Sequence, residues 1–399
     1  MRATRLFKEL LENERTAGLL LVLCTVVSLA LANSAWQQGY LAIWHWPVAG
    51  GTFEYWINDG LMAVFFLMVG LELKRELIKG ELSKREQAML PALAALGGML
   101  VPAGIHMLFN HGTSTHAGAG IPMATDIAFA IGVLSLLGNR VPLPLKVFLT
   151  ALAVIDDLGA IVVIALFYST ALHWAFLAGA LAIFLLLLAL NRAGVKHIAP
   201  FLVLGAVMWF LMLHSGVHAT IAGVLLAVAI PFGDGGPRSS SGKLLHVLHR
   251  PVSFGILPLF ALANTGIVLE QDWFHNLFTP NGWGIFLGLV VGKPLGIGLF
   301  CVASIALGVA AMPKGVKWRQ LIGVGVLGGI GFTMSIFVTL LAFSDPLLVA
   351  ESKATILISS TVAALIGYAW LSVALPHHRV KRPGHAPDPA KGAGLPSQP

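Results

Sequence analysis

Asp156 and Asp157 stand side by side in Ala153-Val-Ile-Asp-Asp-Leu-Gly-Ala, inside an otherwise apolar run. On a helix, successive residues point about 100° apart, so the two carboxylates reach different partners while each still feels the other's charge. Two like charges this close, away from water, stay ionised together only when a cation or an ammonium compensates them. Such a pair holds protons or a metal cation but not both, and that competition is the chemistry of cation–proton exchange. Lys293, in Val290-Val-Gly-Lys-Pro-Leu-Gly, is the ammonium at hand. It either neutralises a carboxylate statically or releases its own proton when an ion arrives, and the sequence leaves both uses open. Asp126, in Ile121-Pro-Met-Ala-Thr-Asp-Ile-Ala-Phe, is a third acid of this kind, and Asp59 and Glu72 lie towards the two ends of another apolar run. Capping or a static salt bridge explains Asp156-Asp157 less well, because a pair in mid-run has no helix end to cap and one base needs only one acid.

The elements that carry these residues are dictated by composition. The 399 residues are 57% hydrophobic and only 11% charged, with mean hydropathy +0.84. A water-soluble chain carries about 25% charged residues, so the solvent here is lipid. Disorder and a disulfide scaffold are excluded, since Cys24 and Cys301 are the two cysteines and both sit in apolar runs. The net charge of +7 belongs to connections on one side of a membrane and not to nucleic-acid binding.

Apolar runs fall at 17–36, 58–80, 88–109, 121–138, 147–168, 171–190, 199–213, 215–231, 252–269, 283–311, 320–343 and 354–375. This predicts an all-α polytopic membrane protein with twelve transmembrane helices. The positive-inside rule tests the count: of the 25 Lys and Arg, all but Lys293 and Lys353 fall at the two termini or in every second connection. Both termini are therefore expected in the cytoplasm. Ala30-Leu31-Ala32 resembles a signal-peptidase site, but removing the first run would break the alternation. Residues 1–376 are expected to form the membrane domain. Within it, 2–15 read as an interfacial amphipathic helix and 377–399 as a disordered cytoplasmic tail. Residues 45–57, with Gly50-Gly51 between aromatic neighbours, read as an external hairpin or as an aromatic belt.

Two runs carry signs of broken helices. The fourth has Pro122 followed by Ala-Thr-Asp, and the eleventh has five glycines and two hydroxyls between Gly323 and Ser335. Such backbone unwinds in mid-membrane only where it lines a cavity, although close small-residue packing also uses glycines. Both are the middle spans of three-span groups that also supply Asp156-Asp157 and Lys293, the pattern of inverted repeats with two broken crossing helices. There is neither a His-Glu-x-x-His motif nor a Walker-type glycine loop, so no cofactor is expected and an ion gradient supplies the energy.

Six dispersed stretches, in order, resemble the NhaA-type sodium/proton antiporters of bacteria. They are Ile57-Asn-Asp-Gly-Leu-Met with Gly70-Leu-Glu-Leu-Lys-Arg-Glu, Ala124-Thr-Asp-Ile-Ala-Phe, Ile155-Asp-Asp-Leu-Gly-Ala, His214-Ser-Gly-Val-His-Ala-Thr, Val291-Gly-Lys-Pro-Leu-Gly and Gly331-Phe-Thr-Met-Ser. The resemblance implies an inner-membrane protein that exports Na⁺ or Li⁺ against protons by alternating access, electrogenically and under pH control, in sodium and pH homeostasis. It implies Asp157 as principal cation ligand, with Asp156 joining it or pairing with Lys293, and Thr125 as a further oxygen. Asp126 and Lys293 would balance the facing dipole ends of the broken helices. Glu72, Arg75 and Glu76, with His246 and His249, fall where the family has pH-responsive groups, and His218 is a further candidate. Leu245 stands where relatives often carry an acid, which bears on the pH set-point. The resemblance also implies a homodimer through the external hairpin. The alternatives are a proton-coupled symporter of a small organic solute, an intramembrane aspartyl protease, which needs its aspartates on facing helices, and a channel.

Overall fold

The computed structural model describes residues 14–168, 172–236, 239–269 and 275–376. The N-terminal segment read as an interfacial helix, apart from its last residues, and the tail 377–399 lie outside the described residues. All regular structure of any length is helical. The helices are α1 (Glu14–Ala32), α2 (Gln37–Trp44), α3 (Met62–Ile78), α4 (Arg85–Phe109), α5 (Ile127–Leu136), α6 (Leu143–Phe167), α7 (Trp174–Arg192), α8 (Ala199–Leu213) and α9 (Ile221–Ala229). They continue with α10 (Ser240–Asn264), α11 (Pro280–Ala306), α12 (Trp318–Gly328), α13 (Phe332–Ala342) and α14 (Pro346–Ala374).

Among the described residues, six helices are long and apolar enough to cross a membrane, or eight if each of two bent pairs is one span. The bent pairs are the 3₁₀ helix Ser114–Met123 with α5, at 43°, and α12 with α13, at 42°. The other four expected spans correspond to α1, α3, α8 and α9. With 15 and 9 residues, α8 and α9 rise only about 22 and 14 Å, against a hydrocarbon core of about 30 Å. Side chains such as Leu108, Leu166, Leu307 and Val373 stand exposed on the outside, as lipid requires.

Several boundaries differ from the hydropathy reading. The ninth run was expected from 252, but α10 starts at Ser240, so His246 and His249 lie on a helix and not in a connection. The reason is local: Ser239 caps it, its hydroxyl accepting from Gly242 N at 3.1 Å, and Leu244 and Leu245 bury one face of a polar turn. The twelfth span likewise starts at Pro346, capped by Asp345, and not at 354. Hydropathy marks lipid contact, whereas hydrogen bonds set where a helix ends.

Two widened π turns adjoin the functional region, Val252–Ile256 in α10 and Gly288–Gly292 in α11. Each precedes a proline, Pro258 and Pro294, whose missing N–H and ring a regular turn would not accommodate. Close backbone crossings then fix α11 against α4. A Cβ on Gly97 would lie 2.2 Å from the Gly296 carbonyl, and one on Gly296 would lie 2.1 Å from that of Gly97. Lys293 is carried into the interior by this contact. At the far side of the molecule, Pro47–Val48 and Gly51–Thr52 pair antiparallel around Ala49 and Gly50, both with positive φ, the conformation of a type I′ hairpin.

Candidate functional site

The two breaks, Ala124-Thr-Asp and Gly329-Ile-Gly, face each other. Asp126 N donates to the Ile330 carbonyl at 2.7 Å. Its carboxylate does two jobs. Oδ1 accepts from Phe129 N at 2.9 Å and so caps α5, while Oδ2 accepts from Thr333 N at 3.1 Å and Thr333 Oγ1 at 2.5 Å at the start of α13. One buried negative charge therefore sits at the positive ends of both half-helices. Lys293 serves the opposite end: its Nζ donates to the carbonyl of Met123, where the Ser114–Met123 arm that precedes α5 finishes.

Asp156 and Asp157 lie on α6, which passes the crossing. Asp156 Oδ2 is 2.9 Å from Lys293 Nζ, both side chains being fully buried. Thr125 Oγ1 lies 2.9 Å from that same oxygen and 2.9 Å from the Gly328 carbonyl. The pair thus divides as its angular separation on the helix predicts, Asp156 turning to Lys293 and Asp157 turning away. Both oxygens of Asp157, and Oδ1 of Asp156, have no hydrogen-bond partner among the described residues. Asp157 is only 1% exposed. A buried carboxylate without donors is costly unless a proton or a cation satisfies it.

A cavity of about 620 Å³ leads to this point. Asp157, Asp126 and Thr333 line its buried end; Glu72, Arg75, Glu76, His246 and His249 line its wider part. Arg75, His246 and His249 are exposed, so the mouth is there. Neither Asp156 nor Lys293 reaches the cavity. Arg75 Nη2 lies 3.4 Å from Glu76 Oε1, a half-exposed pair of little energetic weight. Leu245 also lines the cavity.

The structure therefore brings Thr125, Asp126, Asp156, Asp157 and Lys293 together, and gathers Glu72, Arg75, Glu76, His246 and His249 at one mouth. His218 is set apart: it lies beside the Tyr168 backbone and does not line the cavity. Thr333 and the carbonyls of Met123, Gly328 and Ile330 were not singled out from sequence. For Thr333 a signal existed, a hydroxyl two residues after the last glycine of a mid-membrane glycine run. Backbone carbonyls give none.

With this geometry in hand, comparison with known proteins is informative. The family described as Na⁺/H⁺ antiporter 1 matches residues 8–371. The Na(+)/H(+) antiporter NhaA of Cytophaga hutchinsonii is 58% identical over 375 residues, covering 94% of this chain and 97% of that protein. Na(+)/H(+) antiporter NhaA 1 of Flavobacterium johnsoniae is 57% identical over 371 residues, covering 93% and 97%. The NhaA of Dechloromonas aromatica is 57% identical over 375 residues, covering 93% and 96%.

Proposed function

Because this chain belongs to the Na⁺/H⁺ antiporter 1 family of NhaA proteins, we propose that it exchanges sodium or lithium for protons across the bacterial inner membrane, electrogenically and by alternating access at Asp156 and Asp157. The observation that carries this reading is the Asp157 carboxylate, buried at the end of the cavity with neither oxygen bonded to protein. A hard monovalent cation prefers oxygen ligands, and Asp157, Asp156 Oδ1 and the Thr125 hydroxyl supply them. Among the residues lining the cavity's buried end, Asp157, Asp126 and Thr333 offer carboxylate and hydroxyl oxygens.

The cycle follows from competition. With the cavity facing an alkaline cytoplasm, Asp157 gives up its proton and Na⁺ takes its place. The cation also draws Asp156 away from its ion pair with Lys293, whose ammonium then releases a second proton. After the site turns to the other side, protons displace Na⁺. Two protons for one Na⁺ moves net charge, so an inside-negative potential drives sodium out with about 2.3 kcal/mol per charge per 100 mV. At low pH a fully protonated pair offers no site. Glu72, Arg75, Glu76, His246 and His249 at the mouth face cytoplasmic water and set the field that an incoming ion meets. In this reading the protein has twelve spans with both termini cytoplasmic, α8 and α9 being short because they pack in a thin region. It pairs as a homodimer through the 47–52 hairpin.

The test is dissipation of a pre-formed ΔpH by Na⁺ in inside-out vesicles, from acid to alkaline pH, for wild type and Asp157→Asn. Dequenching that rises with pH in the wild type and is absent in the variant supports the reading. Equal responses sink the site assignment, and no wild-type response to Na⁺ or Li⁺ sinks the exchange reaction.

A further inference from the structure

A second buried polar network lies at the opposite face of the molecule from the cavity mouth, and the exchange cycle above makes no use of it. Helix α4 starts at Arg85, directly after the short connection that follows the mouth helix α3, and His106 lies in its last turn, about 30 Å further along. His106 is fully buried, as are Asn110 and Asn281 within 1%. The imidazole is tightly held: a Cβ on Gly284 would come within 2.8 Å of the ring and one on Gly118 within 3.0 Å. Four elements meet here, α4, the arm Ser114–Met123, α11 and α14. A fully buried imidazole, with the half-buried Glu351 carboxylate close by, is costly in such a place and is not explained by packing alone.

The hydrogen bonds fix the chemistry of each atom. Asn281 Nδ2 donates to Ser352 Oγ at 2.9 Å and to Glu351 Oε1 at 3.3 Å. Its Oδ1 must therefore be the atom 3.2 Å from His106 Nε2, and Nε2 carries the hydrogen. That leaves Nδ1 as the lone-pair nitrogen, and it has no partner among the described residues. Glu351 Oε1 also accepts from Thr279 Oγ1, so every bond it makes here is one a carboxylate favours. Asn110 closes the arrangement, its amide donating to the His106 and Pro280 carbonyls at 2.9 and 3.1 Å while its Oδ1 accepts from Thr115 Oγ1 at 2.5 Å.

We propose that His106 Nδ1 is a second proton-binding site, on the face opposite the cavity mouth, with Glu351 as its counter-charge across the Asn281 amide. A proton arriving at Nδ1 makes an imidazolium whose Nε2–H already points, through Asn281, at a carboxylate. Among the described residues, the titratable groups set against it are Glu351 from α14, through the Asn281 amide, and His116 from the Ser114–Met123 arm. Lys353, next to Glu351, turns instead to Asn264 Oδ1 at 3.4 Å. A line of buried hydroxyls leads from this site to the broken-helix crossing. Ser352, Thr355 and Ser359 share one face of α14, and Ser360 Oγ accepts from Phe332 N at the start of α13. Protonation at His106 is thereby tied, through one helix, to the element that Asp126 caps. The site answers to the pH of the far side, while the mouth answers to that of the near side.

This inference rests on the exchange reading, so its test has an arm that does not. In proteoliposomes of defined orientation, Na⁺-driven proton movement is measured while pH is varied only on the face opposite the mouth. Glu351→Gln keeps the acceptor for Thr279 and Asn281, and His106→Gln keeps a donor for Asn281, so both variants are expected to elute as folded protein. Glu351→Gln should move the far-side pH midpoint to more acid values by about one unit, the scale of one lost charge partner. His106→Gln should remove that dependence, and the near-side profile should stay as in wild type. An unchanged far-side profile in both variants, or an equal loss at every pH, overturns the proposal. Independently of transport, the ¹⁵N-histidine spectrum of the purified protein without Na⁺ should contain a titrating resonance that is missing in His106→Gln and displaced in Glu351→Gln. A His106 resonance that does not titrate overturns the site even if exchange is sound, whereas a titrating one in a protein that moves no Na⁺ faults only the exchange reading.

Discussion

At the scale of single residues, the site works by leaving one carboxylate unserved while one oxygen of its neighbour is held twice. Asp156 has an ammonium and a hydroxyl; Asp157 has neither. The ion pair is completely buried, so removing one partner leaves an uncompensated charge, at a cost of about 3–5 kcal/mol, whereas removing both costs much less. Thermal unfolding in detergent should therefore show Lys293→Gln and Asp156→Asn each strongly destabilised, and the double variant Asp156→Asn/Lys293→Gln closer to wild type; additive losses would contradict the pairing. If Lys293 carries the second proton, Lys293→Gln that still transports should exchange one for one, and its Na⁺ flux should no longer respond to an imposed membrane potential. The adjacency of Asp156 and Asp157 was legible in the sequence, since two acids in an apolar run have few uses. Which of the two meets Lys293 was not, because that depends on how α6 is rotated against α11.

At the scale of elements, Lys293 is positioned by a crossing that tolerates no side chain. Gly296→Ala would drive a methyl into the Gly97 carbonyl, and overpacking of this kind costs about 1–3 kcal/mol. Gly298, two residues on and so about 200° around the helix, has nothing within 4 Å of its Cβ position, so Gly298→Ala should be neutral or slightly stabilising. Exchange activity and melting temperature should both fall for the first and hold for the second; equal behaviour would mean that the crossing does not govern Lys293. The two broken spans were readable from Pro122, Thr125 and the glycine run, because few sequences put such residues in mid-membrane. The first turns of α10 were not, since Ser240–Arg250 is too polar for a hydropathy window although its leucines bury one face. The π turns were equally silent, being answers to Pro258 and Pro294 that only the three-dimensional helix displays.

At the scale of the whole molecule, the cavity at Asp157 opens beside Arg75, His246 and His249, while the far end of α4 is tied to α11 and α14 by hydrogen bonds. Cys24 and Cys301 are both buried, so a membrane-impermeant maleimide should find little background. A cysteine at His246 should be labelled from the cytoplasmic side only, and one at Trp46, exposed beside the hairpin, from the outside only. Labelling of both from one side would overturn the assigned topology. The shared cap at Asp126 has a consequence for assembly. It lies 207 residues before Thr333, so the two helix starts it holds fall one in each half of the chain. Neither half can complete its own broken helix alone, so fragments cut in the connection after α9 should be degraded when expressed singly and recovered as a complex when expressed together. The crossing is thus a joint product of both halves, each supplying one of the helix starts that a single carboxylate holds.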